Sequence, residues 1–109
     1  MDFITMDRSK LVYYLSKVRE AVGILATNPS HLKNRLIKAG PLILLINIDE
    51  LPSDELRERV SSLKSMLAKN FPEEGVSIGR KHTKTLIPIA EGIWALYCLL
   101  QQEVDASNK

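Results

Sequence analysis

The feature that most constrains this chain is the run Leu42-Ile43-Leu44-Leu45-Ile46-Asn47-Ile48, entered through Gly40-Pro41 and closed by Asp49-Glu50. Every residue of it but Asn47 is a large aliphatic. A helix that is apolar on all sides must be covered on all sides, so the rest of the chain is expected to wrap this run, or a second copy is. A short Ile-rich run between turn residues also fits a buried strand. Helix is preferred, because a lone strand leaves its backbone groups unpaired and only the short Val76-Ser77-Ile78 offers a partner.

Around that run the apolar spacing lays out four amphipathic helices. Asp7 can cap the first, whose stripe is Leu11, Leu15, Val18, Val22 and Leu25; Thr27-Asn28-Pro29 should stop it near Ala26. Ser30 can cap the second, with Leu32, Leu36, Ala39, Ile43 and Ile46 in helical register. Pro41 lacks an N–H and crowds the carbonyl one turn back, so a kink or break is expected there. Asp49-Glu50-Leu51-Pro52 reads as a turn. Ser53 can cap the third helix, with Asp54 and Glu55 in its first turn, where the dipole favours negative charge. Its stripe is Leu56, Val60, Leu63 and Leu67, and Glu55 and Arg59 have the spacing to pair. Asn70-Phe71-Pro72 should end it. Thr83 or Thr85 can cap the fourth helix, with Pro88 in its first turn. Leu86, Ile89, Ile93, Leu96, Leu100 and Val104 form the stripe, widened by Trp94, Tyr97 and Leu99. Residues 1–6 read as a loose arm and residues 101–109 as a polar, frayed tail.

The fold expected is therefore all-α: an up-and-down four-helix bundle, its second helix kinked or broken at Gly40-Pro41, in one domain of 109 residues with an ordered core over about 7–104. The second helix has apolar groups left over after that core is filled. A homodimer burying Leu42, Leu44 and Leu45 is expected to take them up. Tyr13-Tyr14 and Trp94-Tyr97 add amphipathic rings of the kind favoured at interfaces.

The net charge of +2 is too small for a dedicated nucleic-acid binder, and at 6% aromatics the chain has few rings for stacking bases. Nucleic acid is thus not the expected partner. Cys98 is the single cysteine, which excludes an internal disulfide and fits a reducing cytoplasm. Set among Leu96, Tyr97, Leu99 and Leu100, it reads as a packing residue. The start of the chain has no basic region followed by an apolar run, so no signal peptide is expected. No apolar run approaches the roughly 20 residues of a membrane span.

Candidate chemistry is sparse. The run ending in Asp49-Glu50 has the look of a Walker B strand, but the phosphate-cradling Gly-x-x-x-x-Gly-Lys-Ser/Thr loop is missing. His31 and His82 each stand two residues before a lysine, Lys33 and Lys84. Phosphotransfer bundles also pair a histidine with a lysine, but carry the histidine in mid-helix. Neither histidine has a carboxylate at ligand spacing, so no metal or cofactor is expected. No serine has an evident base, and no catalytic residue is assigned. The basic cluster Arg80, Lys81, His82 and Lys84 is the one candidate anion site: before a helix, free backbone donors and cationic side chains converge.

Three segments carry a resemblance: Ser30-x-Leu32-x-x-Arg35-Leu36, then Asp49-Glu50-Leu51-Pro52-x-x-Glu55-Leu56-Arg57, then Ile89-Ala90-Glu91-x-Ile93-Trp94-x-Leu96-Tyr97. Over residues 7 to 104 the chain resembles a group of small all-helical bacterial proteins of unassigned function. The resemblance implies the helical fold and a bacterial cytoplasmic setting, and no catalytic residues. The chain departs from the group at Gly40-Pro41. The function expected is a non-enzymatic helical module for protein interaction or oligomerisation. The alternative is an accessory nucleic-acid or phosphate binder using residues 80–84.

Overall fold

The computed structural model describes residues 8–27, 31–70 and 83–107. The described chain forms four α-helices and a short 3₁₀ turn, with no strand among these residues, so the all-α four-helix bundle is the observed fold. The proposed cap Asp7, the end of the third helix at Phe71, the rival segment 76–78 and most of the basic cluster lie outside the described residues.

Helix α1 (Arg8–Thr27) buries Leu11, Leu15 and Val18, as their spacing requires, and with them Tyr14 and Ala21. The Thr27 hydroxyl closes it by donating to the Gly23 carbonyl at 2.7 Å. Arg35 reaches back from the next helix and donates its Nη1 to the Leu25 carbonyl at 2.5 Å. A cation there satisfies an orphan acceptor and sits at the negative end of the helix dipole.

Helix α2 (Leu32–Leu44) follows, with His31 and not Ser30 in the N-cap position; the His31 side chain makes no capping bond. Leu36, Ala39, Gly40 and Ile43 face the core. Pro41 lies inside the helix, which runs on to Leu44, so there is no break at Gly40-Pro41. What Pro41 does is remove the N–H that the Ile37 carbonyl would accept. Leu45 N–H still donates to the Pro41 carbonyl at 3.2 Å in the regular pattern, and the chain then tightens, Ile46 N–H donating to the Ile43 carbonyl at 3.1 Å.

The run 42–48 is accordingly not one helix covered on all sides. Helix gives way at Leu45, and a 3₁₀ turn forms over Ile48–Glu50. Two bonds explain the stop. The Asn47 side chain accepts the Asp49 N–H at 3.0 Å, a local bond that competes with helix. The Asn47 N–H is itself donated to the Tyr14 hydroxyl at 3.2 Å. Ile43 and Ile46 are buried, Leu42 and Ile48 pack partly on the core, and Leu44 and Leu45 face outward.

Helix α3 (Asp54–Asn70) is capped by Ser53, whose hydroxyl accepts the Leu56 N–H at 3.2 Å. Its stripe of Leu56, Val60, Leu63 and Leu67 is buried as expected. Asn70 closes it with a bond from Nδ2 to the Met66 carbonyl at 2.8 Å. Helix α4 (Thr83–Ser107) begins early enough that Pro88 is its sixth residue. Pro88 thus lies beyond the first turn, and the Lys84 carbonyl loses its regular donor. All six expected stripe residues of α4 are buried.

Helix α1 packs against α2 and α4, α3 packs against α4 and α2, and α2 also meets α4 across the bundle. Fully burying each of these Leu and Ile side chains stabilises the fold by about 1.5–3 kcal/mol. Two glycines let α3 in. A Cβ on Gly92 would stand 2.7 Å from Leu63 Cδ2, and one on Gly40 would stand 3.3 Å from Leu67 Cδ2. Helix α3 thus lies close against α2 at Gly40 and against α4 at Gly92, while Ile37, Leu44 and Leu45 of the α2 segment stay exposed.

Candidate functional site

The bare face of α2 follows from helical geometry. Leu36, Ala39 and Ile43 recur at three and four residues and take the core side. Each further residue turns by about 100°, so Ile37, Pro41, Leu44 and Leu45, at relative positions 0, 4, 7 and 8, form a second stripe turned away from the core. Ile37 is 45% exposed, Leu44 47% and Leu45 40%. Pro41 is exposed between them. Two apolar stripes on one short helix are more than a single bundle buries.

A second exposed group lies on α4. Trp94 is 55% exposed, and Ile87, seven residues earlier on the same side, is exposed as well. The Trp94 and Tyr97 rings stand 5.6 Å apart at 37°, with Tyr97 partly buried against the core. On α1, Tyr13 is exposed under the Lys17 ammonium, 5.5 Å from its ring centre, and Tyr14 is buried.

Of the five interface residues read from the sequence, Leu44, Leu45 and Trp94 are exposed, and Leu42 and Tyr97 pack partly into the core. They belong to two helices. Ile37, Pro41 and Ile87 were missed. The signal for Ile37 and Pro41 is in the sequence: both stand off the 36–39–43 stripe and in register with Leu44.

The charges around α2 run against its dipole. No acidic residue stands in its first turn and no basic residue in its last. Lys33 occupies the positive end, Lys38 follows, and Asp49 and Glu50 lie beyond the negative end. A helix alone is favoured by the reverse arrangement. Glu50 is held by Lys10, Nζ to Oε2 at 3.2 Å, and accepts a short bond from the Tyr14 hydroxyl. Lys33, Lys38 and Asp49 form no ion pair among the described residues.

The other candidates do not assemble chemistry. Arg80, Lys81 and His82 lie outside the described residues, and Lys84 falls in the first turn of α4 with its side chain outside them. His31 is exposed. Asp49 and Glu50 stand in a 3₁₀ turn, not after a strand. Tyr14 is 4% exposed, and its hydroxyl both accepts from Asn47 and donates to Glu50, so it is a satisfied latch. Burial, then the Glu50 hydrogen bond, push its pKa above the ordinary value of 10.0.

Glu55 and Arg59 do not pair; Asp54 and Arg57 do. Arg59 instead lines a groove of about 390 Å³ with Glu55, Glu58, Ser62, Leu63, Met66 and Gly92, its Nε buried without a hydrogen-bond partner. No cluster of three His, Cys, Asp or Glu able to hold a metal occurs among the described residues. No described helix is long and apolar enough to cross a membrane.

No protein family, curated protein or solved structure matches this chain. The site is therefore read from its own geometry.

Proposed function

We propose that this chain is a non-enzymatic helical module for protein interaction, and that the outer stripe of α2 is its docking surface. The observation that carries the reading is the exposure of Ile37, Leu44 and Leu45 in one register around Pro41. Large aliphatic side chains grouped on a surface are removed from water when a second surface covers them, at about 25 cal/mol for each Å² of apolar area. An apolar helix face offers anchors at three- and four-residue spacing, the pattern by which helices enter grooves and pair with other helices.

Photo-crosslinking tests this directly. A crosslinking residue at Leu44 or Leu45, in cells making the chain, should give discrete adducts. The same residue at Ser61, on the exposed polar side of α3, should give none. Equal yields at all three positions would remove the docking reading.

A further inference from the structure

We infer that the surface covering the outer stripe of α2 is a second copy of this chain, with the two α2 helices antiparallel about a twofold axis near Pro41. The inference rests on the docking reading above and names its occupant. A twofold contact uses one patch twice, so the patch must complement itself. Turned about Pro41, position 41 minus n meets position 41 plus n. Ile37 then meets the partner's Leu45, apolar on apolar. Each Lys33 comes to the end where the partner's Asp49 stands.

Charge selects this occupant over an unrelated helix. Lys33 at the positive end of α2 and Asp49 beyond its negative end oppose the dipole of their own helix, and neither has an ion-pair partner among the described residues. An antiparallel copy reverses both disadvantages. It brings the partner's Asp49 and helix C-terminus to Lys33, and the partner's Lys33 and helix N-terminus to Asp49. The Lys38 stem can lie along the apolar seam with its ammonium in water. A parallel copy would set Lys33 beside the partner's Lys33.

The contact is small. The 13 residues of α2 span about 20 Å, which offers well under the roughly 800 Å² per partner of a standard stable interface. The association is therefore concentration-dependent, with monomer and dimer in exchange.

The test uses the axis. In a Cys98→Ser background, Pro41→Cys places one thiol beside its own copy. Mild oxidation should link the chains much faster than in the same background carrying Ser61→Cys. Circular dichroism checks that the helices persist. If Pro41→Cys misfolds, mixing an Ile37→Cys chain with a Leu45→Cys chain tests the same register. Sedimentation of Lys33→Asp should show roughly five-fold weaker self-association, recovered in Lys33→Asp/Asp49→Lys, as expected for exposed ion pairs used twice.

Linkage at the Ser61→Cys rate, or a monomer at every concentration, overturns the inference. Discrete Leu44 adducts containing some other protein would then leave the docking reading standing. Absence of adducts as well would remove both.

Discussion

The Tyr14 hydroxyl accepts the backbone N–H of Asn47 at 3.2 Å, so a side chain of α1 holds the point where the chain leaves α2. The same hydroxyl donates to Glu50, which Lys10 also holds. One phenol thereby ties α1 to both Asn47 and Glu50, where the chain leaves α2. Tyr14→Phe keeps the ring in the core and removes both bonds. Losing two hydrogen bonds, at about 0.5–1.5 kcal/mol each, should cost about 1–3 kcal/mol. Urea denaturation measures this, and an unchanged midpoint would show that the latch contributes nothing.

The same group sets a pH dependence. The folded-state pKa of Tyr14 is raised above 10.0, first by burial and then by the Glu50 hydrogen bond. Above pH 10 the unfolded chain gives up this proton before the folded chain does. The contribution is thus complete below pH 10 and is lost as pH rises through the folded pKa. As pH rises above 10, wild type should lose stability faster than Tyr14→Phe. Parallel curves would contradict the shift.

Much of the bundle is legible in the sequence, because its leucines and isoleucines recur at three and four residues. Leu56, Val60, Leu63 and Leu67 are buried as that spacing requires, and so is the whole α4 stripe from Leu86 to Val104. The end of α2 was not legible. It depends on the local Asn47–Asp49 bond and also on a bond between Tyr14 and Asn47, 33 residues apart, and local spacing carries no trace of the second contact. Pro88 falls outside the first turn of α4 because the helix already begins at Thr83. For the site, the apolar surplus of α2 was legible and pointed to Leu44 and Leu45. The stripe itself was not, because Ile37, which aligns with the two exposed leucines, lies outside the unbroken apolar run.

Three helix glycines should respond differently to alanine. Nothing lies within 4 Å of a Cβ on Gly23, so Gly23→Ala should stabilise by about 0.5–1 kcal/mol through helix propensity alone. At Gly40 the 3.3 Å approach of Leu67 asks for a small adjustment that the same gain roughly offsets, so the change should be near zero. At Gly92 the new methyl meets buried Leu63 at 2.7 Å, and overpacking by about 1–3 kcal/mol should outweigh the gain. Thermal midpoints should rank 23 above 40 above 92. A different order would mean that α3 shifts freely.

Exposed and buried members of the apolar run should separate cleanly. Leu44→Gln and Leu45→Gln remove side chains that are 47% and 40% exposed, and each should change stability by no more than about 0.5 kcal/mol in dilute protein. Ile43→Ala empties a fully buried site and should cost about 2–5 kcal/mol. Denaturation at low concentration, where any self-association is dissolved, makes the comparison. A large loss at Leu44 would place it in the core of the single chain.

Pro41 is where fold and proposed function pull apart. It stands three residues before the end of α2 and denies the Ile37 carbonyl its regular donor. Pro41→Ala restores that N–H and removes the ring's push on the preceding turn. A full interior proline costs about 3 kcal/mol, less near a helix end, and the more flexible unfolded alanine chain takes back up to about 1 kcal/mol. The single chain should therefore gain about 1–2 kcal/mol. Self-association should weaken at the same time, because the ring at the centre of the Ile37–Leu44 stripe becomes one methyl. Urea midpoints in dilute protein and sedimentation in concentrated protein read the two effects separately. A variant that is more stable and associates as before would put the twofold axis elsewhere on the chain.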